Sequence, residues 1–298
     1  MSNLFSEEVQ MSQLIQMRRR IKAIETIKKI TSAMRLISRS FHMRMNKEQQ
    51  ALGTYRDTLC SLFAQLHTIA PDWKPTKFFP SQTLVHKELL IIIGGQKGLC
   101  GNFNTNLFYW IDTHKKELSS PDKRIIVLGK RVQEHLTKRT ITTKKTYEEL
   151  KPKDMDTFTD NLLKDIFDPN EHYTKISILS NHPKTFFIHE QRYQQLIPFI
   201  GCADNTNKHL ADDYHWHHTP DMVLNMLAED FIKVSIRTAL FESLLAEQAA
   251  RFLSMDNATR NANKFLETMQ LQYNKARQAK ITKELTELAG AFESDSFT

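Results

Sequence analysis

Two stretches of the chain carry residue types that could do chemistry. The first is Gly94-Gly95-Gln96-Lys97-Gly98-Leu99-Cys100-Gly101-Asn102. It follows an apolar, branched run and precedes a helical pattern, the setting in which backbone N–H groups at a helix start cradle phosphate. The spacing departs from both phosphate-binding patterns. Lys97 lies before the last glycines rather than beside a Ser or Thr at the helix start, and the dinucleotide GxGxxG arrangement is missing. The expected role is a tight strand-to-helix turn that needs glycine backbone angles, with Cys100 a small buried packing residue. The second stretch is Tyr214-His215-Trp216-His217-His218, with Asp212 and Asp213 beside it. Three imidazoles near two carboxylates suit a metal, but no distant cluster completes a closed shell. A segment that meets a partner through Tyr214 and Trp216 is the preferred alternative. No nucleophile elbow, helix-borne HExxH or acid/base pair occurs, so the expectation is no catalytic residue, no metal and no cofactor.

The elements that must position these stretches follow from the helix breakers. All nine prolines lie between Pro71 and Pro220, and outside that interval the glycines are Gly53 and Gly290. Proline in a helix interior costs about 3 kcal/mol and glycine about 1 kcal/mol. Long stretches without them, at both ends, are what two long helices require. In the N-terminal stretch Met17, Ile21, Ile24, Ile27, Ile30, Met34, Ile37, Phe41 and Met45 recur at steps of three or four, placing them on one helical face. The C-terminal stretch runs from Asp221 to Phe292 with a looser pattern that includes Leu224, Leu240, Phe265, Met269, Tyr273 and Leu288. Pro220-Asp221 is its start signal. At 1.5 Å per residue the two helices would reach roughly 70 Å and roughly 100 Å, too long for one small domain. The economical way to bury both apolar stripes is against each other, as an antiparallel coiled coil, expected to coil irregularly because the apolar spacing is looser than heptads.

Between the helices, Leu89–Ile93, Arg124–Leu128 and Lys175–Ser180 are short and rich in branched residues, as buried strands are. Helical patterns at Asn104–Leu118, Lys130–Lys138 and Asp154–Phe167 alternate with them, implying parallel βαβ units. Phe186–His189 and Gln195–Phe199 would add an edge hairpin. The expected fold is therefore α/β: a small Rossmann-like domain over 71–220, inserted between coiled-coil helices over 1–70 and 221–298.

Composition narrows the partners. The chain has 298 residues, 41 Lys+Arg against 34 Asp+Glu, a balance that favours acidic partners. Residues 11–50 carry ten Lys/Arg and two Glu, a net +8, one-sided in sign where a merely solvated face would be served by a balance. No apolar run suits a membrane span, and the N-terminus has neither signal-peptide nor transit-peptide character. Cys60, Cys100 and Cys202 are odd in number and far apart, which argues against a disulfide framework and for a reducing compartment. A basic coiled coil gripping nucleic acid is the rival interpretation, and a nucleotide-using enzyme with helical arms is another.

Several segments resemble one known family. Arg18-Arg19-Arg20-Ile21-Lys22-Ala23-Ile24, followed by Ile27-Lys28-Lys29-Ile30-Thr31-Ser32-Ala33-Met34-Arg35, is similar to the start of F-type ATP synthase gamma subunits. Gly98-Leu99-Cys100-Gly101 with Asn104-Thr105-Asn106-Leu107 resembles their middle. Glu242–Arg251, Met255–Ala262 and Tyr273–Leu285 resemble their C-terminal signature. Two features depart from the pattern: Gly95-Gln96-Lys97 stands where the family has Ser-Asp-Arg, and about ten residues extend the N-terminus.

The resemblance implies a non-catalytic central-stalk rotor of an ATP synthase complex at the cytoplasmic face of a bacterial plasma membrane. Its partners would be the alpha and beta subunits, the epsilon subunit and the membrane c-ring, with no nucleic acid. Arg18, Arg19, Arg20, Lys22, Arg277 and Gln278 would meet the beta subunits. Ile281, Leu285, Leu288 and Phe292 would form an apolar bearing tip, and Tyr214, His215, Trp216 and His217 would lie against epsilon and the c-ring.

Overall fold

A computed structural model describes residues 2–80, 87–148, 154–168, 171–199 and 218–295, with side chains described outside 2–12, 68, 288 and 290–295. Tyr214, His215, Trp216 and His217 therefore lie outside the described residues, as do the side chains of Leu288 and Phe292. Two helices dominate: α1, Ser2–Ile69, and α6, Pro220–Asp295. The second opens on the proline and Asp221 that mark its start. Two compact units share these helices, one made of residues 1–37 and 252–298 and the other of 38–251.

In the first unit the two ends of the chain pair antiparallel. Arg18 donates to the Tyr273 hydroxyl at 2.9 Å, Thr259 to Thr31 at 2.9 Å, and Arg35 to Asp256 at 2.8 Å. The paired residue numbers add to 290 or 291 each time, which is the mark of one uninterrupted antiparallel register. Burial on α1 follows a stricter period than its apolar residues do. Thr31 is buried in this unit, and within the second unit Ser38, Met45, Leu52, Leu59 and Leu66 are buried along α1 at steps of seven. On α6, Met255, Thr259, Ala262 and Leu266 are buried, and Met269, Tyr273, Ala276 and Lys280 continue the seam half-buried.

This corrects the apolar face expected for α1. Ile27 is 52% and Ile37 67% exposed, whereas Ser38 is 1% exposed. Small hydroxyl side chains let the helices approach closely, and the Thr31–Thr259 bond satisfies hydroxyls that would otherwise be stranded. Phe265, expected in the seam, is also exposed.

The second unit is built on a five-stranded sheet. Its elements in order are β1 (Glu88–Ile93), α2 (Thr105–Thr113), α3 (Lys115–Leu118), β2 (Lys123–Leu128), α4 (Lys130–Lys138), β3 (Lys145–Tyr147), α5 (Met155–Ile166), β4 (Lys175–Pro183) and β5 (His189–Ile197). The strand order is β3-β2-β1-β4-β5, parallel except for β5 against β4. Both faces are covered, which is why β1 is almost uniformly apolar. Leu90, Ile92, Ile125 and Val127 pack with Leu107, Ile111, Val132 and Leu136 of α2 and α4. Leu89, Ile91, Ile126 and Ile178 share the opposite core with α5, α6 and Met45, Leu52, Phe63 and Leu66 of α1. From Thr238 to Glu247 every residue of α6 is buried, as in a helix enclosed all round. Phe63, Trp73, Phe78 and Phe199 make an aromatic cluster beside it, and the Trp73 indole N–H reaches Asn225 at 3.0 Å.

Three local expectations change. The hairpin is formed by the whole of β4 and β5 and closed by Lys184 N–H to the Ile188 carbonyl at 2.9 Å, so Phe186 sits in the turn. The short strand β3 has too few residues to announce itself; it is held by Gly129 N–H to the Tyr147 carbonyl at 2.8 Å. Finally, Cys60 is disulfide-bonded, contrary to the expectation of reduced cysteines, because separation along a chain says nothing about separation in space. Cys100 is free and buried, as expected of a packing residue.

Candidate functional site

The glycine-rich loop leaves the C-terminal end of β1, between strand β2 on one side and β4 on the other. That is the switch point at which doubly wound sheets bind ligands. Here an internal anion fills it. The carboxylate of Glu247 on α6 accepts from Gln96 N–H at 2.9 Å and Lys97 N–H at 3.2 Å. Arg251, one turn further along α6, pairs with Glu247 and donates to the carbonyls of Gly98 at 3.2 Å and Lys97 at 3.3 Å. Both side chains are buried, Glu247 at 2% and Arg251 at 5% exposure. Successive N–H groups of a turn form an anion nest, and this one holds the chain's own carboxylate. The motif that resembled a phosphate loop is a clamp on α6.

The loop is braced from behind. Asn104 accepts from Gly95 N–H at 2.9 Å, and Asn181 of β4 donates to the Phe103 carbonyl at 3.1 Å. Gly129 has φ +113°, and a Cβ there would meet the Gly94 and Gly95 carbonyl oxygens at 2.8 and 2.9 Å. Cys100 donates to the Lys97 carbonyl at 3.5 Å. Burial pushes its thiol pKa up, and the neighbouring Glu247 charge adds to the rise. The thiolate that reactive cysteines need is thereby disfavoured. A second buried carboxylate, Glu242, has an oxygen 2.8 Å from His182 Nδ1 and 3.9 Å from Arg192. At the other end of the sheet a surface hollow is lined by Trp110, His114 and Tyr193, and Glu88 there is bridged by Lys123 and Lys175 at 3.2 and 3.9 Å.

The basic residues singled out on α1 are all exposed. Arg18 is tied to Tyr273, while Arg19, Arg20 and Lys22 make no ion pair among the described residues. Arg277, Gln278, Ile281 and Leu285 are exposed on the far part of α6. The register of the first unit brings residue 18 to residue 273, so the basic cluster and Arg277 belong to the same stretch of coil. No group of three or more His, Cys, Asp or Glu that could hold a metal occurs among the described residues. Glu247 and Arg251 were missed as site residues. The signal was charged side chains, Glu242, Glu247 and Arg251, inside a largely apolar run of helix, a pattern that demands buried partners.

A mostly parallel sheet whose ligand crevice is filled by a side chain of a terminal helix, in a chain whose two ends pair antiparallel, defines the class: an α/β domain with coiled-coil termini. The family model described as ATP synthase matches residues 13–294. The ATP synthase gamma chain of Rickettsia felis is 29% identical, over 95% of this chain and 100% of that one. That of Chlorobium limicola is 28% identical, over 94% and 98%. The fold is shared with the central stalk and c-ring structure of Tetrahymena thermophila mitochondrial ATP synthase, at TM-score 0.55 and 18% identity, covering 77% of this chain and 99% of that one. It is shared also with the Euglena gracilis mitochondrial OSCP/F1/c-ring structure, at TM-score 0.52 and 16% identity, covering 88% and 95%.

The chain belongs to the ATP synthase gamma family. It is a component of that complex, and no helix among its described residues is long and apolar enough to cross a membrane.

Proposed function

We propose that this chain is the central-stalk rotor of an F-type ATP synthase, coupling ion flow through the membrane c-ring to ATP synthesis and hydrolysis in an alpha/beta hexamer. It carries no active site of its own and is held peripherally at the cytoplasmic face of a bacterial plasma membrane through the c-ring. The observation that carries this reading is the antiparallel zip between the chain's two ends, Arg18 with Tyr273 and Arg35 with Asp256. It yields a stiff two-helix rod whose outer face is one-sidedly basic. The functional division follows: residues 1–70 and 221–298 as shaft, and 71–220 as the α/β base.

A rotor works by contacting otherwise identical partners unequally, since only differential contact shifts an equilibrium between open and closed states. Exposed cations suit that task, because Coulomb forces act over several ångströms without a deep pocket. Arg18, Arg19, Arg20 and Lys22, with Arg277 and Gln278, are the proposed beta-subunit contacts. Ile281, Leu285, Leu288 and Phe292 form the proposed bearing. Tyr214, His215, Trp216 and His217 are the proposed contacts to epsilon and the c-ring.

Affinity purification of the tagged full chain from its native source tests the reading. Alpha, beta and epsilon subunits are expected to co-purify. Their absence, or enrichment of nucleic acid in their place, would overturn it.

A further inference from the structure

Torque can pass between the α/β base and α6 only through contacts that resist rotation of the helix about its own axis. Apolar packing is non-directional, so the extensive core around α6 opposes separation better than it opposes turning. Hydrogen bonds weaken steeply with angle and charge-assisted ones are the strongest. The loop clamp has the geometry this requires. Glu247 and Arg251 hold one face of one helical turn, through two bonds accepted and two donated at 2.9–3.3 Å. The loop they grip is braced by Asn104 and Asn181, hence to α2 and β4.

We infer that Glu247 and Arg251 are positioning residues that fix the rotational setting of α6 on the base, making loop 96–98 the point at which torque enters the shaft. The inference rests on the rotor reading above. Other polar links differ in kind. Lys233–Asp160 and Arg237–Asp156, at 2.6 and 2.7 Å, are more exposed and so are screened by solvent and salt. Glu242 is buried, but its basic partners His182 and Arg192 come from the β4–β5 hairpin rather than from a braced loop.

The test compares complexes carrying wild-type chain, Glu247→Gln or Lys233→Ala, measuring ions moved per ATP hydrolysed. The ratio is expected to fall severalfold in Glu247→Gln and to stay at the wild-type value in Lys233→Ala. An unchanged ratio in an assembled Glu247→Gln complex would overturn the inference. A second measurement needs no variant: amide hydrogen exchange at Gln96 and Lys97 in the wild-type complex, at rest and during turnover. Protection is expected to persist under load, and its loss during turnover would equally overturn the clamp. Failure of alpha and beta to co-purify with the wild-type chain would instead defeat the rotor reading, so the two failures are distinguishable.

Discussion

Arg35 on α1 donates to Asp256 on α6 at 2.8 Å, although 221 residues separate them in sequence, and Arg260 reaches the other oxygen of the same carboxylate at 2.5 Å. One carboxylate thus holds a cation from each strand of the coil. With Thr31 and Thr259 beside it, this pair fixes the register at a place where the seam is polar rather than apolar. Polar seam positions lower stability but specify alignment. In a rod formed by the two ends of a chain, alignment decides which residues reach the tip together.

Acid is expected to loosen this part of the coil first. The Arg35 hydrogen bond, with Arg260 adding, holds the Asp256 carboxyl below the usual carboxylate range. A carboxyl with a depressed folded pKa stabilises fully above its unfolded pKa, about 3.9. That contribution disappears as pH falls through the lower folded value. Amide exchange at residues 31–35 in the full chain should therefore accelerate as pH drops below about 4, beyond the intrinsic pH dependence of exchange. Asp256→Asn should abolish the extra acceleration and cost about 1 kcal/mol at neutral pH, less at high salt. Identical pH profiles for the two chains would contradict this role.

Much of the architecture is legible in the residues, and the exceptions share a cause. The long helices follow from where prolines and glycines are absent, and the central strands from their branched runs, because both are local effects. The seam of α1 misleads, since Ile27, Ile30 and Ile37 are apolar yet face outward while Thr31 and Ser38 are buried. Only the partner helix decides which stripe is covered. The loop clamp is equally non-local: Gln96 and Glu247 are 151 residues apart. A glycine-rich turn after a strand looks the same whether its amides await a phosphate or already hold a carboxylate. Cys60 fails for the same reason.

Gly129→Ala is expected to damage the clamp without touching it. At φ +113° a side chain is strained, and its Cβ would press on the carbonyl oxygens of both Gly94 and Gly95, backbone that cannot swing away. Strain in such a region costs about 1–3 kcal/mol, with the clash additional. The displaced loop should also carry Gln96 and Lys97 away from Glu247. The expected outcome is a melting temperature lowered by several degrees, together with faster exchange of those two amides. A Gly129→Ala chain that melts like wild type would show that the strand end yields more easily than its packing implies.

The basic residues that α1 and α6 bring to this stretch of coil are expected to respond differently to substitution. Arg277 and Gln278 are exposed and make no bond within the described residues, so Arg277→Ala with Gln278→Ala removes nothing that holds this chain together. Stability should change by no more than about 0.5 kcal/mol, as for surface substitutions generally. ATP turnover of the assembled complex should nevertheless fall, because the side chains are placed to meet a partner. Arg18 is different. It reaches the Tyr273 hydroxyl and its guanidinium lies 5.8 Å from that ring. Arg18→Glu should therefore loosen the coil locally as well as alter contacts with acidic partners, and the separation is read by pairing it with Arg19→Glu, whose side chain has no such tie. Amide exchange near Tyr273 should quicken for the first and not for the second, whereas both should weaken co-purification with beta in a salt-dependent way. Wild-type turnover in the Arg277/Gln278 double variant would remove those two residues from the proposed interface while leaving the antiparallel coil, which does not depend on them, intact.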